Sequence, residues 1–311
     1  MRPFLLAAGV GLAAFAAVAA GLAVAALLAA RRLPDDHPVA ASRRLFLLRV
    51  LPTCLGLVAA ALAVRAFLLL EPREVDETPG LTFLLLAAAG GAALTAGLWR
   101  AATDLLITRR MRREWLRQGR PVALEGAPAP AVRMAHPFPV ICVVGVIRPR
   151  IFVADAVLQG LSASEISAVL AHERAHVSAA DNLRRVVMRL CPPLPWPSLA
   201  RRLEQRWQDM SEEAADVRAN AGLDLASALV STARLAPPGA RLQLGAAAFH
   251  SGGALARRVR RLCEPSPSPA VRPRRGWALP LAAAVAMAGL TAWPHVVSPV
   301  HRLLEALVHL P

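Results

Sequence analysis

Ser162-Ala163-Ser164-Glu165-Ile166-Ser167-Ala168-Val169-Leu170-Ala171-His172-Glu173-Arg174-Ala175-His176, continuing to Asp181, is the stretch from which the rest of the chain can be read. Ser162 and Glu165 stand in capping-box spacing, and Ile166, Val169, Leu170 and Val177 recur at helical intervals, so a helix is expected to start at Ser162. On that helix His172 and His176, four apart, project from one face and can place two ring nitrogens on a single Zn²⁺. Glu173 lies one position round the helix, where it can reach a water held by the metal without easily joining the ligand set. Zinc lowers the pKa of such a water and a nearby carboxylate takes its proton, which is the arrangement that metal-assisted hydrolysis needs.

A zinc site of this class wants a third protein ligand. Glu212-Glu213-Ala214-Ala215-Asp216 falls within a second helical pattern, Ser198 to Ala219, whose apolar stripe is Leu199, Leu203, Trp207, Met210, Ala214 and Val217. Glu212 can close a His-His-Glu set and leave the fourth position to water, and Asp216, one turn on, can orient a ligand histidine from behind. The stripe sets both acids off the helix's core face. A solvated acidic face is the plain alternative for Glu212 and Glu213.

Around these two helices the chain is apolar. Its 311 residues are 56% hydrophobic with a mean hydropathy of +0.45, too apolar for an ordinary soluble protein, so membrane spans are expected. Four stretches qualify: Phe4 to Ala30, Leu45 to Leu70, Leu81 to Ile107 and Trp277 to Val297. The first is longer than the ~7 to 15 residues of a signal-peptide core, which makes a cleaved leader the second choice there. Arg49 and Arg65 lie near the ends of the second span and are read as snorkelling to the interface. All 36 basic residues are arginine, and between Thr108 and Gly276 stand 26 of them against 13 acidic residues. Every arginine cluster then falls on one side of the membrane, which puts both termini outside and residues 108–276 in the cytoplasm. Beside membrane spans such basic charge marks an anionic lipid surface, and without interleaved aromatics it gives no reason to expect direct nucleic-acid binding.

Within residues 108–276, Val140 to Ile147 and Ile151 to Val153 read as short strands about a turn. Near a zinc site such a strand either pairs with substrate backbone or is plain core sheet, and both readings stand. Asn182 to Leu190 reads as a short helix, stopped by the prolines between Cys191 and Pro197, and Leu223 to Leu235 as another. Arg257, Arg258, Arg260 and Arg261 read as a solvated basic turn or a contact to lipid phosphates, and Pro265 to Pro269 as a stiff linker. The cysteines Cys54, Cys142, Cys191 and Cys263 are too widely spaced for a disulfide framework or a cysteine zinc site, so free thiols are expected.

Taken together, Gly145-Val146-Ile147-Arg148-Pro149-Arg150-Ile151-Phe152-Val153, the His172 to His176 motif with Asp181-Asn182, and Glu212 to Asp216 resemble the integral-membrane zinc peptidases of the BlaR/MecR beta-lactam-sensor type, in the gluzincin group. The order of parts resembles them too, three spans before the peptidase segment and one after. The resemblance implies an α-helical membrane protein with four transmembrane helices and a mainly α (α+β) cytoplasmic zincin-like peptidase domain. It implies zinc on His172, His176 and Glu212, Glu173 as catalytic base, Asp216 in support, and a cytoplasmic or membrane-proximal protein as substrate. A transcriptional repressor is the substrate expected from this type, in the bacterial cytoplasmic membrane, with a homodimer or a sensor partner left open. HtpX-like quality-control proteases resemble the chain less well, because they place spans between the histidine motif and the third ligand. A non-catalytic receptor or scaffold with structural zinc is the other alternative, and the intact Glu173 argues against it. Ser298 to Pro311, fourteen residues, are expected to host no extracellular penicillin-binding domain. With no tyrosine in the chain, His250 or Arg218 is the candidate donor for a transition-state oxyanion, and no role is read for Asp181.

Overall fold

Runs of alanine, leucine and valine can shed water only if their backbone bonds internally, which favours helices. The computed structural model forms three such helices, α1 (Arg2–Arg31), α2 (Pro38–Leu70) and α3 (Leu81–Gln118). It describes residues 2–32, 37–70, 79–193, 196–236 and 253–264. All three helices are long and apolar enough to cross a membrane. The expected fourth span at 277–297, the tail at 298–311 and His250 lie outside the described residues.

The three helices pack on one another through small residues. Where α1 crosses α3, a Cβ on Gly90 would lie 2.2 Å from the Leu12 carbonyl oxygen, so only glycine permits that approach. α3 then runs eleven residues past the expected end of its span at Ile107. Its extension carries Met111 and Trp115 onto the sheet described next.

Four strands form that sheet: β1 (Arg120–Val122), β2 (Ala131–Met134), β3 (Ile141–Val144) and β4 (Arg150–Ala154), in spatial order β1-β2-β4-β3. β3 and β4 are the antiparallel pair expected from the sequence, and β2 lies parallel to β4. β4 is apolar at successive positions because both of its faces are covered, and Ile151, Phe152, Val153 and Ala154 are fully buried. Phe152 packs with Val132, Met134 and Trp115, and Ile151 with Ala131 and Leu170. β3 is left as an edge strand.

Helices α4 (Asp155–Gly160), α5 (Ala163–Ala179), α6 (Asp181–Leu190), α7 (Pro197–Ala219), α8 (Gly222–Leu235) and α9 (Gly253–Cys263) follow among the described residues. The capping box is present: Ser162 Oγ accepts from the Glu165 N–H, and the Glu165 carboxylate accepts from the Ser162 N–H. Glu165 also accepts from Ser227 and Ser231, which ties the start of α5 to α8. The Ser227 bond, then the Ser162 N–H, hold its carboxyl below the ordinary carboxylate range.

α7 joins the spans to the rest of the molecule. Leu203 and Trp207 are buried against Leu45, Phe46 and Val50 of α2. Glu204, next to Leu203, meets Arg49 at 2.9 Å and Arg100 at 3.0 Å. Arg49 also donates to the carbonyls of Cys191 and Pro192. Read from sequence as snorkelling, Arg49 is instead buried at 6% exposure, because α7 brings it a carboxylate and the proline turn brings it two carbonyls. Arg65, by contrast, is exposed.

The end of α6 seats against α3 at Gly97, where a Cβ would lie 2.2 Å from the Leu190 carbonyl oxygen. Gly97→Val is therefore expected to destabilise the fold by ~1–3 kcal/mol, the usual range for overpacking. Gly21, with nothing within 4 Å of its would-be Cβ, provides the control. Thermal unfolding in detergent should show a lowered midpoint for Gly97→Val and none for Gly21→Ala. Equal midpoints would mean that α6 does not lean on α3 in this way.

Candidate metal centre and active site

The two histidines lie on consecutive turns of α5 and both are largely buried, at 8% and 17% side-chain exposure. Their rings are nearly perpendicular and their Nε2 atoms stand 3.1 Å apart. Glu212 arrives from α7, with Oε2 3.5 Å from His172 Nε2 and Oε1 3.6 Å from His176 Nε2. The expected trio is thus brought together by two helices that pack on each other, and its donor atoms lie within 4.8 Å of one another.

Behind each histidine stands a carboxylate. His172 Nδ1 is 2.9 Å from Asp216 Oδ1, as the one-turn spacing from Glu212 leads one to expect. His176 Nδ1 is 2.8 Å from Asp181 Oδ2. The His176 contact is a hydrogen bond and the His172 contact a close ion pair; a carboxylate at Nδ1 favours the tautomer that leaves Nε2 as a free lone pair. Asp181 reaches its place because Ala180, in the left-handed conformation at φ 56°, ends α5 and begins α6 within one residue. Sequence reading left Asp181 without a role, since an aspartate five residues beyond a histidine meets it only if the helix breaks at that point.

Two ring nitrogens and a carboxylate, all acceptors, therefore converge on one point. Only a cation relieves that arrangement. Tetrahedral zinc ligands at ~2.0–2.2 Å from the metal stand roughly 3.3–3.6 Å apart, close to the separations found here, so the residues fit a zinc ion.

Burial opposes charge on both histidines, but the carboxylates overcome it. His176 is pushed up to about 10 by its bonds to Asp181 and Glu212 against that burial, and His172 is raised in the same way by Asp216 and Glu212. Burial tends to raise Glu212, yet its bonds to the two histidines hold it well below the ordinary range. At neutral pH His176 therefore holds a proton unless a metal takes its lone pair. Zinc and that proton compete for the same lone pair, so zinc uptake is expected to release about one proton per chain at neutral pH. Apparent affinity should then rise ~10-fold per pH unit up to about pH 10, where His176 loses its proton unaided. Chelator competition between pH 6 and 9 checks this, and a flat profile would remove His176 from the ligand set.

Glu173 sits beside the trio, on the edge of the sheet. Its Oε2 accepts from the Val143 N–H of β3 at 3.0 Å. Burial raises its pKa first, and the nearby histidines work against that. Asn182, the first residue after Asp181, donates to the carbonyls of Val143 and Gly145. A groove of about 370 Å³ runs between β3 and the start of α6, lined by Ile141, Val143, Val146, His172, Glu173 and Asn182, among others. Cys142 also borders it, but burial and then the Glu173 charge push its thiol up to about 12, which keeps it neutral. Arg185 lines the groove, whereas Arg218, an oxyanion candidate from sequence, does not.

The sequence reading also missed Arg258. Taken there as solvated or lipid-bound, it reaches in from α9 with Nε and Nη2 on the two Asp216 oxygens, at 2.8 and 2.7 Å. Its Nη1 lies 3.2 Å from Glu212 Oε2. The neighbouring Glu213 points elsewhere and pairs with Arg261. Asp216 itself is buried at 7%, not on the solvent side of α7.

No curated protein and no solved structure matches the chain. A family model does match: residues 143–242, from β3 to just beyond α8, match peptidase family M48. That span contains His172, Glu173, His176, Glu212 and Asp216, and it supports the expected zinc-peptidase character without reaching the finer beta-lactam-sensor type. With its three membrane-length helices and this matched segment, the chain is a membrane-associated metallopeptidase, a peptide-bond hydrolase.

Proposed function

We propose that the chain is a membrane-embedded zinc metalloendopeptidase that cleaves a cytoplasmic or membrane-proximal protein in regulated, antirepressor-like signalling, as in the BlaR/MecR type. The observation that carries the catalytic part is the convergence of His172, His176 and Glu212 beside the Glu173 carboxylate at an open sheet edge. Zinc held by those three residues would supply Lewis-acid polarisation of the scissile carbonyl and acidify water. Glu173 takes a proton from the attacking water as its oxygen bonds to the carbonyl carbon. The same carboxyl returns that proton to the amine nitrogen as the C–N bond breaks. Burial raises its pKa, which helps it hold the proton between the two steps. Asp216 and Asp181 orient the histidine rings from behind.

An extended substrate segment would enter along β3, whose other edge is bonded to β4. Pairing at Val143 and Gly145 requires it to displace the Asn182 amide from their carbonyls. The Val143 N–H must likewise leave Glu173, which frees the base as the substrate arrives.

The arginine excess of residues 108–276 supports a cytoplasmic location for this site, beneath three spans of the bacterial cytoplasmic membrane. A reporter fused after Gly80 should then read outside and one fused at Gly126 cytoplasmic. The reverse pattern would overturn both the orientation and the cytoplasmic substrate. Signalling and quality control part on substrate number. In cells carrying an inactive variant, a regulator should accumulate one uncleaved protein, whereas a quality-control protease should accumulate many misfolded membrane proteins.

A further inference from the structure

The segment that matches the peptidase family ends at residue 242, yet the site continues beyond it into α9. Arg257 and Arg260 on that helix are exposed, whereas Arg258 is 19% exposed with all three guanidinium nitrogens on site carboxylates. Arg261, one turn on, pairs with Glu213, so α9, packed on α8, reaches the acidic end of α7 through its arginines.

We propose that Arg258 is a positioning residue of the metal centre and that the unit which binds the metal extends through α9. This rests on the zinc site proposed above. Nε and Nη2 grip both oxygens of Asp216 and fix the plane of its carboxylate, which sets Oδ1 2.9 Å from His172 Nδ1. That contact orients the ring so that Nε2 faces His176. Nη1 takes Glu212 Oε2 at 3.2 Å, which leaves Oε1, 3.6 Å from His176 Nε2, as the oxygen free to ligate. One guanidinium thus sets the geometry of two of the three ligands, His172 through Asp216 and Glu212 directly. Its planar fork matters as much as its charge. Removing it would strip Asp216 of its bidentate grip and of its cationic partner, so the carboxylate is free to turn and the ring it steers is released.

Zinc affinity of the full-length protein, measured by chelator competition in detergent, tests the assignment. Arg258→Ala is expected to weaken it ~10- to 100-fold, the usual scale for a residue that supports a ligand. Arg258→Lys keeps the charge without the fork and should recover only part of that loss. A variant combining Arg258→Ala with Asp216→Ala should lose less affinity than the two single losses multiplied together, because both residues act on His172 through one linkage while Arg258 alone also acts on Glu212. Arg261→Ala, on the same helix, should leave affinity unchanged. Should Arg258→Ala fail to fold, Arg258→Lys decides alone: parental affinity in that variant would overturn the proposal. A parent protein that holds no zinc would instead refute the metal site itself, which keeps the two failures apart.

Discussion

Glu173→Gln should lower peptide-bond hydrolysis ~10²-fold or more, the usual scale for removing a general base, while leaving zinc content and thermal midpoint as in the parent. The amide oxygen can still accept from the Val143 N–H, so the variant keeps the contact that seats α5 on the sheet edge and loses only the proton acceptor. Glu173→Ala removes both and should lose activity to the same degree. Single-turnover cleavage of a cytoplasmic partner is the direct measurement, with accumulation of the uncleaved partner in cells as its counterpart. A zinc-loaded Glu173→Gln protein that cleaves as the parent does would exclude the proposed base. Retention of the cellular response in the same variant would turn the reading towards a scaffold.

The second large effect concerns metal content. The purified parent should hold about one zinc per chain, and His172→Ala, His176→Ala and Glu212→Ala should each fall to near none under dialysis, because a three-residue set has no spare ligand. Glu213→Ala should keep its zinc, since that carboxylate is turned towards Arg261. The adjacent glutamates make this a test of register: loss of metal in Glu213→Ala with retention in Glu212→Ala would reverse the ligand assignment, whatever the family match says about the chemistry.

Much of this centre was legible because its signals are local. The Ser162 and Glu165 cap, the four-residue spacing of the histidines and the stripe through Leu203, Trp207 and Ala214 each act within a helix, where periodicity fixes direction. Glu212 and Asp216 followed as one helix face. What escaped reading depends on contacts between distant segments. Arg258 meets Asp216 across 42 residues, and nothing near it distinguishes it from the exposed Arg257. Arg49 looked like an interfacial arginine because Glu204, 155 residues away, is what buries it. β1 and β2 are too short to show an alternation, and the sheet's second cover comes from the tail of an apolar helix. Asp181 depended on the single left-handed residue at Ala180, which carries no glycine or asparagine to announce it.

The clamp on Glu204 bears on how such an enzyme can be taken apart. The catalytic residues all lie after residue 107, which invites the picture of a detachable module on a membrane tether. Cutting there would strip Arg49 and Arg100 from Glu204 and uncover Leu203 and Trp207, the residues by which α7 is seated. α7 is also the helix that brings in Glu212, two turns further along. The excised piece would keep every catalytic side chain and lose the foundation of one ligand. The spans therefore form part of the active site's scaffold, and a gene truncated to the catalytic half would encode the motif without a working enzyme.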